Sequence, residues 1–405
     1  MTRGKSVLGL SLVWFLIMTW FASAQTVEPG VTDTAIRIGI LCPLSGPDSK
    51  TGTNLLEGFQ TFVKHVNDTG GVHGRSLVLV ARDDGNDPER GVFEMRRMLL
   101  EGKTFAIAST SGVPTTQALI DHGILTDPIP VLAGGAISKG LLSDFKRNVF
   151  FFGMTYGDQI VLAVEHLLKK KPGRYPQMGL LARDGFPGEE VREGFYRVCR
   201  HYGLQTVGEE RYSEGTDESA PLLDRLRVAG ADHVVLAATT VEAIQIMRNA
   251  SSLGWFPQFI GPSSTVDPKR LVEAGDGAGG YLVVDYLARS WERTPGVSLM
   301  ARLTEKYYPR KNTDTLHRYH ILGYISGLLI THAPRGAGRD LSRVSLIEAF
   351  ERIQNLDTHG LTGALRYDTG SRLADCGGRV LRFKKDSGMF VPLTDWTRPM
   401  IRVSQ

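Results

Sequence analysis

Glycine spacing, paired histidines and clustered acids are the features of this chain that could do chemistry. Gly275-Asp-Gly-Ala-Gly-Gly280 fits G-x-G-x-x-G, the spacing that lets a dinucleotide's pyrophosphate meet backbone N–H groups. Such a loop must follow a strand and open a helix. Here the run follows a helical pattern and precedes the apolar Tyr281–Val284, so a turn is expected. His317 and His320 share a helix face at i and i+3, but no acidic or Cys partner stands at ligand spacing. No metal site and no cofactor are expected. Asp83, Asp84 and Asp87 crowd acid after an apolar run, where a polar loop with capping acids fits better than a catalytic pair. There is no Walker A, no G-x-S-x-G and no H-E-x-x-H, and no nucleophile stands beside a base. An enzyme is not expected.

Three polar loops suggest binding instead. They are Pro43-Leu-Ser-Gly46 with Lys50-Thr-Gly52, then Ser109 to Thr116, then Ala133-Gly-Gly-Ala-Ile-Ser138. Each follows an apolar run and leads into a helical pattern. Backbone N–H groups at helix N-termini favour an anionic group such as a carboxylate. Ordinary capping by Ser and Thr explains each loop singly; three on one sheet edge favour a ligand site.

The elements that carry these loops alternate. Short apolar strands are predicted at Ile36–Leu41, Leu77–Ala81, Phe105–Ala108, Pro130–Leu132 and Val149–Phe152, with helices at Asn54–Asn67, Pro88–Glu101 and Pro114–His122 between them. The alternation restarts with a helix at Asp158–Lys171 and strands at Met178–Ala182, after Leu204–Gly208, at His233–Ala237, Phe259–Ile260 and Tyr281–Val284. Three more helical stretches follow, Ser298–Tyr308, Leu316–His332 and Leu341–Ile353, and then short strands and turns over Gly360–Pro392. Unbroken apolar strands alternating with helices predict an α/β protein with parallel sheets covered on both faces. Two consecutive α/β halves predict two Rossmann-like lobes with a ligand cleft between them, beyond the strand carboxyl ends.

Composition narrows the function classes. The 405 residues are 42% hydrophobic and 22% charged, which excludes a disordered chain. Arg3 and Lys5, the apolar run Val7–Met18 and Ala22-Ser-Ala24 read as a cleaved secretory signal over residues 1–24, which implies a periplasmic protein with no membrane insertion after cleavage. Removing Arg3 and Lys5 takes the net charge from +4 to +2, too little to argue for nucleic acid. Cys42, Cys199 and Cys376 are too few and too widely spaced for a disulfide framework; free thiols are expected, and one pair remains open.

Ile36-Arg-Ile-Gly-Ile-Leu-Cys-Pro-Leu-Ser-Gly-Pro47 resembles the opening of the periplasmic branched-chain amino-acid (Leu/Ile/Val) binding proteins of ABC transporters. Val66-Asn-Asp-Thr-Gly-Gly-Val-His-Gly-Arg75, Asp83-Asp-Gly-Asn-Asp-Pro88, Gln258-Phe-Ile-Gly-Pro262 and Gly360-Leu-Thr-Gly-Ala-Leu-Arg-Tyr-Asp368 are similar to that family too. The resemblance spans roughly residues 35–395. It implies a type I periplasmic binding fold with three hinge crossovers, placed near Tyr156, Asp285 and Leu361. Lobe 1 is then 25–156 with 286–360, and lobe 2 is 157–285 with 361–405. It also implies capture of a small molecule by lobe closure and delivery to a membrane permease. A soluble sensing subunit for a membrane receptor or kinase is the alternative.

Carried over position by position, the resemblance places ligand contacts at Ser111, Gly112, Val113, Gly135, Ala136 and Ile137 on the first lobe. Tyr156 and Phe186 follow, the latter standing for an aromatic in the family's Tyr-Gly motif. Thr51 occupies a family aromatic position, Thr239 and Thr240 a tyrosine position, and Ser263 the position of an acid that can bind the ligand ammonium. Ser263 carries no charge, and Val113 and Ile137 offer no side-chain hydrogen bonds. An α-ammonium closed in a cleft needs a carboxylate or several acceptors. The expected ligand therefore lacks one: an aromatic or aliphatic acid, an amide, or a more apolar molecule. Lys50, Tyr156 and Arg183 are placed to meet a carboxylate.

Overall fold

A computed structural model describes residues 28–402 apart from 126–127, 136, 144–145, 171–174, 214, 216–218 and 368–369. The expected signal segment, residues 1–24, and Ala136 lie outside the described residues. Thirteen strands are described, in two sheets. The first sheet uses β1 (Ala35–Cys42), β2 (Ser76–Asp83), β3 (Ala106–Thr110), β4 (Val131–Leu132), β5 (Val149–Gly153) and β11 (Leu373–Asp375), in the order β11-β5-β4-β3-β1-β2. All its pairings are parallel. The second uses β6 (Met178–Arg183), β7 (Thr206–Tyr212), β8 (His233–Ala237), β9 (Gln258–Gly261), β10 (Leu282–Asp285), β12 (Arg379–Lys384) and β13 (Met389–Pro392), in the order β13-β12-β10-β9-β8-β6-β7. Its last two strands run antiparallel. The central strands β3 and β5 are buried at every residue, the burial that a sheet covered on both faces demands.

Helices α1 (Ser49–Asp68), α2 (Pro88–Leu100), α3 (Val113–Asp121) and α4 (Lys139–Ser143) connect the first sheet. Helices α5 (Tyr156–Lys170), α6 (Gly188–Tyr202), α7 (Ser219–Val228), α8 (Thr240–Ser252) and α9 (Pro268–Leu271) serve the second. Three later helices, α10 (Pro295–Tyr307), α11 (Arg318–Ala337) and α12 (Arg343–Glu351), return to the first. Glycines let α1 and α11 approach closely. A Cβ on Gly323 would stand 2.0 Å from the Leu55 carbonyl oxygen, and one on Gly58 would stand 1.9 Å from that of His320. The run Gly275–Gly280 is not a phosphate loop. It lies across a 3₁₀ segment, Val272–Ala278, that leads into β10, and Gly277 packs against the Met247 carbonyl of α8.

The chain passes between the two sheets where β5 gives way to α5 and again just after β10. The last passage differs from expectation. Residues 361–375 were expected with the second lobe, but β11 pairs in parallel with β5, matching Leu373 to Phe151 and Asp375 to Gly153. The passage therefore falls at Cys376–Gly378, immediately before β12. Leu361 and Leu365 are fully buried beside first-lobe residues, and the Leu361 carbonyl accepts the Ala288 N–H at 2.8 Å. The three cysteines are free and buried. Burial pushes the Cys42 thiol up to about 12 and that of Cys199 to about 11. No helix among the described residues is long and apolar enough to cross a membrane.

Candidate functional site

In the first sheet β1 has β2 on one side and β3 on the other, so the chain reverses its direction of winding between β1 and β3. Loops at such a point leave for opposite faces and open a crevice at the strand carboxyl ends. The loops after β1, β3 and β4 leave that one edge, on three neighbouring strands. The second sheet repeats this arrangement between β6 and β8, whose following loops carry Phe186, Thr239 and Thr240.

The loop after β1 is tied down by the acids beside it. Asp83 accepts the backbone N–H groups of Leu44 at 2.7 Å and Gly85 at 2.9 Å, and pairs with Arg90 at 2.6 Å. Burial raises its pKa, but bonds from Ser45, Leu44 and Gly85 and the Arg90 charge hold it at about 2. Asp87 caps α2 through the Arg90 N–H at 2.9 Å, and Asp84 is buried against the Thr115 hydroxyl at 3.2 Å. All three acids are used by the loop. Thr51 lies in the first turn of α1, half-buried, and its N–H reaches the Asp48 carbonyl at 2.9 Å.

After β3 the backbone turns at Ser111, held at φ +67°. Its N–H meets the Ser109 hydroxyl at 3.2 Å, and its own Oγ is buried with no hydrogen-bond partner among the described residues. Gly112 then enters α3 extended and Val113 is the first helical residue; no side chain caps this N-terminus. The Thr116 hydroxyl turns inward to the Gly112 carbonyl at 2.8 Å. After β4, Gly135 sits at φ +86° against Leu322 of α11, and the Ile137 side chain reaches over Gly153 beside the Tyr286 ring.

The second lobe closes on these loops through Glu190 of α6. Its carboxylate accepts the Lys139 N–H of the first lobe at 2.6 Å and the Tyr156 N–H at 3.0 Å. Burial, with help from Asp158 and Glu193, raises its pKa to about 7 against those two bonds. The Tyr156 ring meets Phe186 at 5.6 Å between centroids, and Phe186 remains 41% exposed. Tyr156 also lies within the electrostatic reach of Arg318, Tyr319 and Tyr286, and burial raises its pKa. Of the sequence candidates, Tyr156 and Phe186 are brought together, beside the Glu190 carboxylate that holds the Tyr156 N–H.

The remaining candidates take part in local hydrogen bonds. Thr239 caps α8, receiving the Glu242 N–H and giving its own to the Glu242 carboxylate at 2.7 Å. The Thr240 hydroxyl bonds the Ser264 carbonyl at 3.1 Å. Ser263 is 2% exposed and donates its N–H to Gln159 of α5 at 2.8 Å.

Sequence reasoning missed the charged groups at the floor of the cleft. Asp285 ends β10 fully buried; Arg289 reaches it at 2.7 Å and Arg318, in the first turn of α11, at 3.2 Å. Burial works against the Asp285 carboxylate, yet the two guanidiniums keep its pKa low. A cation in the first turn of a helix opposes the helix dipole, and that was the available signal for Arg318. Glu190 carried no such signal. Next to this cluster opens a cavity of about 530 Å³ between the lobes, lined by Lys50, Asp267, Lys269, Arg289, His317 and Arg318 among others. Of the residues singled out in the sequence, Lys50 and His317 line it, and none of the family-derived ligand positions does. Arg183 instead faces Glu242 at 3.7 Å within the second lobe. No cluster of metal-binding side chains occurs among the described residues.

Comparison with known proteins agrees with this architecture. The Leu/Ile/Val-binding protein homolog 3 of Brucella melitensis is 25% identical over 276 residues, 67% of this chain and 71% of that protein. The Leu/Ile/Val/Thr-binding protein of Salmonella typhimurium is 25% identical over 252 residues, 61% of this chain and 67% of that protein. Among solved structures, a fatty acid ABC transporter substrate-binding protein from Thermomonospora curvata superposes with a TM-score of 0.78 at 23% identity, over 92% of this chain and 95% of that one. A branched-chain amino acid ABC transporter protein from Thermus thermophilus with bound valine gives 0.76 at 20%, over 92% and 98%. The family profile described as periplasmic binding protein matches residues 35–387. Two mainly parallel sheets, a cleft at their carboxyl edges and a match along nearly the whole described chain lead to one conclusion: this chain belongs to the periplasmic binding protein family.

Proposed function

We propose that this protein captures a small organic solute by closing its two lobes outside the cytoplasmic membrane and delivers it to an ABC permease, and that the solute has no α-ammonium group. One observation carries the second half of this reading. Three buried or half-buried carboxylates are already engaged: Glu190 by two backbone N–H groups, Asp285 by two arginines, Glu242 by Arg183 and the Thr239 N–H. Ser263, at the place of the family's acid, is neutral and nearly inaccessible. A ligand ammonium closed against Ser263 would meet no carboxylate at that position, and an unpaired buried charge is strongly unfavourable.

First-lobe contacts are assigned to Ser111, Gly112, Val113, Gly135, Ala136 and Ile137, with Thr51 at the rim. Tyr156, Phe186, Thr239, Thr240 and Ser263 face them. The buried, unpartnered Ser111 hydroxyl supports this assignment, since a ligand acceptor would satisfy it. Aromatic and aliphatic acids, amides and apolar molecules remain the ligand classes, and the fatty-acid-binding structural relative makes the acids the first to try. Thermal unfolding of residues 25–405 against such a panel, with leucine and valine included, tests the reading. A ligand at 100 times its dissociation constant stabilises the folded state by about 2.7 kcal/mol. A shift with an acid, amide or apolar compound and none with leucine or valine is expected; a leucine or valine shift contradicts it.

A further inference from the structure

The cavity beside Asp285 is lined by more cations than acids: Lys50, Lys269, Lys311, Arg289 and Arg318 stand against Asp267 and Asp314. Three buried arginines, Arg289, Arg318 and Arg379, share two carboxylates, Asp285 and Glu292. Glu292 is bound to Arg379 in bidentate fashion, at 2.6 and 2.7 Å. Asp285 is left to serve both Arg289 and Arg318, so this cluster keeps one cation more than its acids. Arg289 is 5% exposed, and its Nε and Nη2 make no hydrogen bond among the described residues, Asp285 being an ion-pair contact only. The Nε of Arg318 is likewise buried without a hydrogen-bond partner. Both side chains line the 530 Å³ cavity. Lys50 and Lys269 also line it, one from each lobe. The apolar part of the lining is Val266, Trp291, Leu316, Ile321 and Met389. His317 adds no charge near neutral pH, because burial and the nearby Arg318 and Lys50 lower its pKa to about 4.

We propose that this cavity binds the carboxylate of an amphiphilic monocarboxylic acid, with the anion at Arg289 and Arg318 and the apolar body along Leu316, Ile321 and Trp291. The proposal rests on the receptor reading above for capture between the lobes and narrows its ligand class, but it seats the carboxylate at Arg289 and Arg318 rather than on the first-lobe loops after β3 and β4, neither of which lines this cavity. Unsaturated guanidinium N–H groups match a carboxylate's geometry, and charge-assisted bonds of that kind are roughly twice as strong as neutral ones. A buried cationic excess is costly when empty and is relieved by an anionic occupant. The volume falls within the roughly 300–1,000 Å³ of small-molecule sites. Both lobes line the cavity, so an occupant would also hold them together.

Titration of residues 25–405 with octanoate and 3-phenylpropanoate, beside octanamide and 3-phenylpropanamide, tests this. Each acid should bind about tenfold or more tightly than its amide, and Arg289→Gln should erase that preference. Because Arg289→Gln leaves a buried carboxylate with one partner fewer and could unfold the chain, Lys50→Gln with Lys269→Gln provides a second test on exposed residues. It should weaken the acids severalfold, leave the amides unchanged and reduce the salt dependence of acid binding. Equal binding of acid and amide, no binding of either acid at millimolar concentration, or an acid preference that survives both sets of substitutions overturns the proposal. Binding of an amide or apolar compound without either acid overturns this site while the receptor reading stands. Binding of leucine in place of the acids overturns both.

Discussion

Arg318, in the first turn of the last long helix of the first lobe, reaches 3.2 Å to Asp285, the final residue of a strand in the second lobe. The pair crosses the hinge at a point where the carboxylate is wholly buried and already bound to Arg289 at 2.7 Å. Lobe closure therefore acts on a carboxylate withdrawn from solvent and paired from both lobes.

Asp285→Asn leaves two arginines facing each other without their shared counter-charge. Removing one partner of a buried ion pair costs about 3–5 kcal/mol. Urea unfolding should show a loss of that size, and a change under about 1 kcal/mol would mean that the cluster is better solvated than its burial implies.

Glu190 links the lobes through the Lys139 N–H, and its folded-state pKa is raised to about 7 from an ordinary value near 4.5. Between those values the folded chain holds a proton that the unfolded chain has released. Its contribution therefore favours folding at low pH and declines as pH rises from about 4.5 to 7. Glu190→Gln should remove that decline. Chemical denaturation of both proteins from pH 4.5 to 8 checks it; parallel curves would refute the assignment.

His320 works in the opposite direction. It is fully buried against the Thr304 hydroxyl at 2.9 Å, and burial with nearby Lys311 lowers its pKa to about 3. The unfolded chain takes up a proton near pH 6.5 while the folded chain refuses it. The stability this residue contributes is complete above about 6.5 and is lost as pH falls toward 3. His320→Asn should flatten the acid limb of the stability curve at some cost at neutral pH, measured by the same denaturation series.

Gly323→Ala places a methyl 2.0 Å from the Leu55 carbonyl oxygen, at the crossing of the two longest helices. Backbone cannot yield as a side-chain tip does. Overpacking of this kind costs about 1–3 kcal/mol, which a lowered melting temperature would register; Gly336→Ala, with nothing within 4 Å, is the control and should be neutral or slightly stabilising.

The central strands were legible because they are largely apolar runs. His233–Ala237 agrees at both ends with its prediction. The three binding-edge loops were legible as polar interruptions after such runs. What escaped were contacts between distant segments. Glu190 looks like any acid in the first turn of α6, and only folding brings it to Lys139, 51 positions away. Leu373–Asp375 is three residues long with no apolar run, so its pairing with β5 gave no periodic signal and the final passage between lobes was placed too early. Thr239 and Ser263 were singled out by position alone; that Thr239 also caps α8 and that the Ser263 N–H reaches Gln159 of α5 became visible only in the fold. Arg289 and Arg318 make a site because they share one acid, a relationship no local spacing displays.

Calorimetric titration of residues 25–405 with leucine, beside 3-phenylpropanoate, tests the central claim most directly. No leucine binding at micromolar concentration, with measurable binding of the acid that lacks an ammonium, is the predicted result. A leucine complex of micromolar affinity or tighter would contradict it, because an ammonium would then have to be paired although Ser263 is neutral and Glu190, Asp285 and Glu242 are already engaged.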